Sequence, residues 1–157
     1  MSTTAAVKAI QAQFGELLQD PPPGINAGPI DDDWFDWSAV IQGPVGTPYE
    51  GGLFFLSIQF SESYPFDPPK VKFTTPIYHP NVSNEGGICL SILFKSCSWD
   101  NGWSPALSIT SVLISIMVLM SEPATDHSLQ PELARQYDTD REGFDKAARE
   151  HTKQHAM

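Results

Sequence analysis

Apolar positions change their period along the chain. Near the start, Val7, Ile10, Phe14 and Leu17 recur at helical spacing, with Leu18 widening the stripe, which predicts an amphipathic helix. Asp20-Pro21-Pro22-Pro23-Gly24 ends it, because proline lacks the amide donor that a helix interior needs. The period then falls to two. Over Trp34–Ile41, the residues Trp37, Ala39 and Ile41 alternate with Asp36, Ser38 and Val40, as in a strand with one buried face. A breaker-rich turn, Gln42 to Pro48, leads to a second strand, Leu53–Phe60; after Tyr64-Pro65-Phe66-Asp67-Pro68-Pro69 comes a short third, Val71-Lys72-Phe73. Such runs in close succession predict an antiparallel meander.

Residues 74–103 carry Pro, Gly, Asn, Ser and both cysteines with little periodicity. A long irregular stretch in a compact domain is functional or disordered. Ile77, Tyr78, Val82, Ile88, Leu90, Ile92 and Leu93 predict an ordered loop pinned to a core. The tail is helical. Ser104-Pro105 fits a helix start, serine as cap and proline at the first helical position. Leu107–Met120 is apolar on nearly every side, which predicts a central helix ended by Glu122-Pro123. Pro131 opens a short helix toward Tyr137, and Thr139-Asp140-Arg141-Glu142 reads as a capping box launching a polar helix to about His151.

Composition narrows the class. A chain of 157 residues, 41% hydrophobic, suits one domain with one core, taken as residues 1–157. The strongest apolar run, Ser111 to Met120, is too short to span a bilayer, and no basic and apolar leader opens the sequence. Cys89 and Cys97 are too few for a disulfide scaffold, so a cytoplasmic and nuclear location is expected. Net charge is −10; residues 1–69 hold nine acids against Lys8 alone. Such a field repels phosphate backbones, so no nucleic-acid partner is expected, and a basic partner would be attracted.

Cys89 stands out as candidate chemistry. It follows Gly86-Gly87 in the ordered-looking loop, and glycines let another backbone approach closely. A nucleophile and an inert buried thiol both fit, since no Cys/His/Asn triad can be placed by spacing. Cys89 and Cys97 do not form a paired metal motif and the histidines are scattered, so no metal site is expected. There is no glycine-rich phosphate loop and no Gly-x-Ser-x-Gly elbow. His79, between Tyr78 and Pro80, reads as a turn-stabilising hydrogen bonder rather than a base.

His79-Pro80-Asn81, seven residues, then Cys89-Leu90 resembles the active-site motif of ubiquitin-conjugating enzymes. Gly43-Pro44, Pro48-Tyr49, Gly51-Gly52, Tyr64 to Lys70 and Trp103-Ser104-Pro105-Ala106 follow in that family's order, as do Tyr137 to Arg141 and Ala148-Arg149-Glu150. The short class without long extensions is the most similar. The resemblance implies an α+β fold: a first helix, a four-stranded antiparallel sheet, a long active-site loop and later helices. The remaining strand is expected near residues 82–90 or just before, and Tyr64-Pro65 is expected to be cis, where X-Pro costs little.

The resemblance further implies that Cys89 accepts the C-terminal carbonyl of ubiquitin as a thioester from the activating enzyme. A ligase of RING, U-box or HECT type would bring a substrate lysine to attack it. No cofactor is implied; ATP is consumed upstream. Asn81 would donate to the carbonyl oxygen, worth about 3 kcal/mol of barrier, or brace the loop. Ile114 and Val118, with Leu90, would pack the donor ubiquitin. Lys8, Phe66, Ser104, Pro105 and Ala106 would meet the ligase, and Asn26 would lie on the back of the sheet, a weak ubiquitin site. A monomer is expected.

Several positions depart from the family pattern. The stretch from Cys89 to Trp103 is about six residues longer than in the shortest members, an insertion a surface loop tolerates. Its Ser96 to Gly102 would gate access, bias lysine choice, or do nothing. Ser91 stands where relatives often carry aspartate. At His127 relatives often have an acid or serine that assists the lysine; Asp126 or His127 would take that role here. The first helix has one base, Lys8, and Asp67 replaces a frequent lysine, which predicts slower or more selective pairing. A non-catalytic ubiquitin-binding variant, or a conjugating enzyme for a ubiquitin-like modifier, are the alternatives.

Overall fold

The computed structural model describes residues 2–157. Helix α1 (Ser2–Gln19) precedes four strands, β1 (Ile25–Ile30), β2 (Asp33–Gln42), β3 (Leu53–Gln59) and β4 (Lys70–Phe73). They form one antiparallel sheet in the order β1-β2-β3-β4, as a meander with short turns should. Helices α2 (Ile109–Ser121), α3 (Pro131–Thr139) and α4 (Arg141–His155) follow, with single 3-10 turns at Ser91–Leu93 and Thr125–His127. The architecture is the expected α+β one.

One face of the sheet builds the core. Trp37, Ala39 and Ile41 of β2 and Phe54, Leu56 and Ile58 of β3 are buried, facing Ala6, Ile10 and Leu17 of α1 and Ile109, Val112, Leu113 and Ile116 of α2. Edge-to-face rings run through this core: Phe14 to Trp37 at 5.5 Å, Trp37 to Phe60 at 5.2 Å and Phe60 to Tyr64 at 4.6 Å. Each such pair adds about 1 kcal/mol beyond its buried area. Gln13 ties three elements: its Oε1 accepts from the Tyr64 hydroxyl at 2.6 Å and from the Ile109 amide at 2.9 Å.

Four expectations are corrected. The remaining strand is not near residues 82–90 but is β1, ahead of the other three. Its sequence, INAGPI, has little strand character, and pairing with β2 imposes the conformation; Pro29 is tolerated because β1 is an edge. Residues 82–88 make only the isolated bridges Val82–Ile88 and Lys72–Gly87. Leu18 does not widen the buried stripe, being 67% exposed; the helix turns it away from the sheet. Ser104 does not cap α2. That helix starts at Ile109, and Ser108 Oγ accepts from the Ser111 amide. Trp103 donates its indole N–H to Pro65 O, holding the chain before Ser104 to the Tyr64–Pro65 turn. Asp140, not Thr139, caps α4 by accepting from the Gly143 amide. The Thr139 hydroxyl is taken by Arg135 O.

The Tyr64–Pro65 peptide is cis, as expected. Leu53 N–H donates to Ala156 O at 2.9 Å, so the last turn of α4 closes on the start of β3. No helix among the described residues is long and apolar enough to cross a membrane.

Candidate active site

The loop from Ile77 to Leu93 is held by its own backbone and by two neighbours. Phe73 N–H donates to Gly86 O at 2.9 Å, Ser83 N–H to Gly87 O at 2.9 Å, and Cys89 N–H to Asn81 O at 2.9 Å. Gly86 has φ +90°, and a Cβ there would lie 2.0 Å from Phe73 O. Only glycine fits both conditions. The hairpin-like turn it allows delivers Cys89, half-buried, immediately beyond Ile88 in the core.

His79 is wholly buried. Its Nε2 donates to Leu119 O at 2.8 Å, and its Nδ1 accepts from the Asn81 amide at 3.0 Å. Burial drives its pKa down to about 4, so the ring is neutral and both nitrogens are used. It is a turn-holding group, as its sequence context indicates. Tyr49 donates its hydroxyl to Tyr78 O at 2.6 Å, and Pro80 O accepts from Leu129 N–H at 2.8 Å. His79 and Pro80 thereby lock the loop between the core and the segment after α2.

Asn81 is also wholly buried. Its Nδ2 donates to Ala124 O at 2.8 Å and His127 O at 3.2 Å, and its Oδ1 accepts from Ala124 N–H at 2.9 Å. Both amide protons are engaged, so this geometry is that of a brace joining the Cys89 loop to the Thr125–His127 turn.

Residues 94–102 close a second wall. Trp103 N–H donates to Phe94 O at 2.7 Å, joining the ends of this loop. The Trp99 indole stacks on the His127 ring, centroids 4.0 Å apart and planes 13° from parallel. Ser91 is buried and its hydroxyl donates to Asp100 Oδ2 at 3.3 Å. Lys95 pairs with Asp67 at 2.6 Å, an exposed contact worth under about 1 kcal/mol. Asp126 is exposed on the turn beside His127. The Cys89 thiol is raised above its ordinary pKa, first by burial and second by the Cys97 thiol.

The remaining candidates lie on the surface around this centre. Ile114 and Val118 are 43% and 50% exposed on α2, although the helix is apolar on nearly every side; Leu90 is half-buried between core and Cys89. Phe66 is 69% exposed, and Ser104, Pro105 and Ala106 are exposed on the adjoining loop. The Trp103 indole, bonded to Pro65 O, holds the two loops side by side. Lys8 is exposed on α1. Asn26 is exposed on β1, in a cross-strand row with Val40 and Phe55, far from the Cys89 loop in the topology.

Sequence pattern gives Gln130 no role, and marks Tyr49 only within Pro48-Tyr49 and Asp100 only within Ser96 to Gly102. Gln130 Nε2 donates to Val82 O at 2.6 Å, 48 residues away; no local periodicity marks such a contact. A cleft of about 950 Å³ runs along β4 past Phe60, Val71, Ile88 and Phe94 and is not lined by Cys89. The family model described as ubiquitin-conjugating enzyme matches residues 9–152, and with the sheet, the braced loop and the half-buried Cys89 in their places, the chain belongs to the ubiquitin-conjugating enzyme family.

Proposed function

We propose that this protein is a transferase that accepts ubiquitin as a thioester on Cys89 and, with a ligase, passes it to a substrate lysine. The observation that carries the reading is Cys89 itself, half-buried at the end of a loop held by His79 and Asn81 in a chain of this family. Non-catalytic members of the fold lack such a cysteine.

In the loading step the Cys89 thiolate attacks the thioester carbonyl of the charged activating enzyme. A C–S bond forms, another breaks, and the enzyme thiolate leaves. Exchange between thioesters is nearly balanced, so little driving force is needed beyond a thiolate. In the transfer step a lysine amine attacks the same carbonyl, and Cys89 leaves. Asn81 serves this step by fixing the two loops. Asp126 or His127 assists the lysine from the turn that Asn81 holds.

Exposed Ile114 and Val118, with half-buried Leu90, offer donor ubiquitin an apolar face. Phe66 with Ser104, Pro105 and Ala106 is the ligase surface, and Lys8 contributes the single basic residue of α1. Asn26 marks a weak ubiquitin contact on the back of the sheet. The protein acts as a monomer in cytoplasm and nucleus and uses RING, U-box or HECT-type ligases.

Incubation with activating enzyme, ATP and ubiquitin, followed by a non-reducing gel, tests the reading. The expected result is a thiol-sensitive adduct on the wild type, replaced by none or by a thiol-stable ester in Cys89→Ser. An adduct only with a ubiquitin-like modifier would establish the second reading, for which the lone base of α1 argues. No adduct with any modifier sinks both.

A further inference from the structure

The 94–102 loop carries no family motif, yet it makes directed contacts with both walls of the Cys89 site. Trp99 lies flat on His127 at 4.0 Å. The carbonyl of that same His127 accepts from the Asn81 amide, and Asn81 O accepts from Cys89 N–H. On the other wall Asp100 Oδ2 accepts from Ser91 Oγ, two residues past Cys89. The contacts close a ring, Cys89 to Asn81 to His127 to Trp99, then Asp100 to Ser91 and back to Cys89. Asp100 is exposed, while its Oδ1 is steadied by the Asn101 amide at 2.8 Å.

We infer that Asp100 orients the incoming lysine, with Trp99 as the clamp that holds it in place. The inference rests on the transferase reading above. A carboxylate oriented by two donors keeps free lone pairs on its exposed side, and an ammonium is the cation they take best. Asp126 is exposed on the turn beside His127 with no side-chain partner among the described residues that would aim it. In the step itself the lysine ammonium, held by Asp100, loses a proton to water. Its nitrogen then forms a C–N bond with the thioester carbonyl and gives a second proton to water as the C–S bond breaks and Cys89 leaves as thiolate. Asp100 holds and aims the amine; it keeps no proton.

Two nucleophiles separate this role from a structural one. The enzyme is first charged with ubiquitin, the activating step is stopped, and discharge is followed to free lysine and to hydroxylamine, which is uncharged at neutral pH. Starting from charged enzyme keeps any loading defect out of the rate. Asp100→Asn is expected to lower the second-order rate with lysine about tenfold, the size of one exposed charge-assisted hydrogen bond, and to leave the hydroxylamine rate unchanged. Trp99→Ala is expected to do the same, and Trp99→Phe to restore the lysine rate. Equal slowing with both nucleophiles, or a wild-type lysine rate in Asp100→Asn, overturns the inference while the transferase reading stands. An unchanged lysine rate in Trp99→Ala removes the clamp. Failure of the wild type to charge at all overturns the transferase reading and the inference with it.

Discussion

The side-chain amide of Asn81 and the backbone of Ala124 exchange two hydrogen bonds, at 2.8 and 2.9 Å, across 43 residues of sequence. This exchange joins the loop that presents Cys89 to the turn that carries Asp126 and His127. Asn81→Ala leaves the Ala124 N–H and O without these partners in a part-buried setting. A loss of about 2 kcal/mol is expected, lowering Tm by about 5 °C in calorimetry. Discharge of charged enzyme should fall with it. Unchanged Tm with slowed discharge would instead favour direct contact with the carbonyl oxygen.

His79 makes stability depend on acid. Burial lowers its folded pKa to about 4, while the unfolded imidazole titrates near 6.5. Between those values the unfolded state binds more protons, so stability rises with pH through this window. It is complete above about pH 6.5 and falls by about 3 kcal/mol as pH drops toward 4. Urea midpoints measured from pH 4 to 7 read the slope, and NMR reads the ring directly. A His79 resonance that titrates near pH 6.5 in the folded protein contradicts the assignment.

The Cys89 thiol should react late in a pH series. Burial and the nearby Cys97 thiol both raise its pKa, so the thiolate fraction at neutral pH is small. Alkylation of Cys89 by iodoacetamide, followed by mass spectrometry, should keep rising at pH values where a free cysteine peptide has levelled off. Cys97→Ser removes one of the two causes and should move the profile toward lower pH. A profile that moves upward, or a Cys89 that levels off before the peptide, counts against this environment.

Gly86 sets the path of the loop. A Cβ there meets Phe73 O at 2.0 Å with φ at +90°, and backbone has no room to retreat. Gly86→Ala should cost about 3 kcal/mol or more, seen as a fall in the urea midpoint and as loss of charging. Gly46 also has positive φ, but nothing lies within 4 Å of its Cβ position. Gly46→Ala is therefore the matched control, paying for backbone conformation alone, and should cost about 1 kcal/mol.

Local pattern carried a large part of this protein. The period-two run of β2 and the breaker-rich turn after it are nearest-neighbour properties, and the strand is found at Asp33–Gln42 with Trp37, Ala39 and Ile41 inward. The His79-Pro80-Asn81 and Cys89 spacing marks a loop that hydrogen bonds of His79 and Asn81 hold in place, because the residues that shape a turn lie within it. β1 was missed since INAGPI has no strand preference of its own and becomes a strand only when β2 supplies its partners. Ser108 won the start of α2 from Ser104 because the Trp103 indole and Gln13, both bonded to distant residues, fix where the chain turns. Periodicity left Ile114 and Val118 indistinguishable from core, since only packing decides which sides of an all-apolar helix stay uncovered. Composition and spacing could thus set the elements and name Cys89. Which groups brace the neighbouring loops, including Trp99 on His127 and Asp100 on Ser91, depended on contacts made only when the chain has closed.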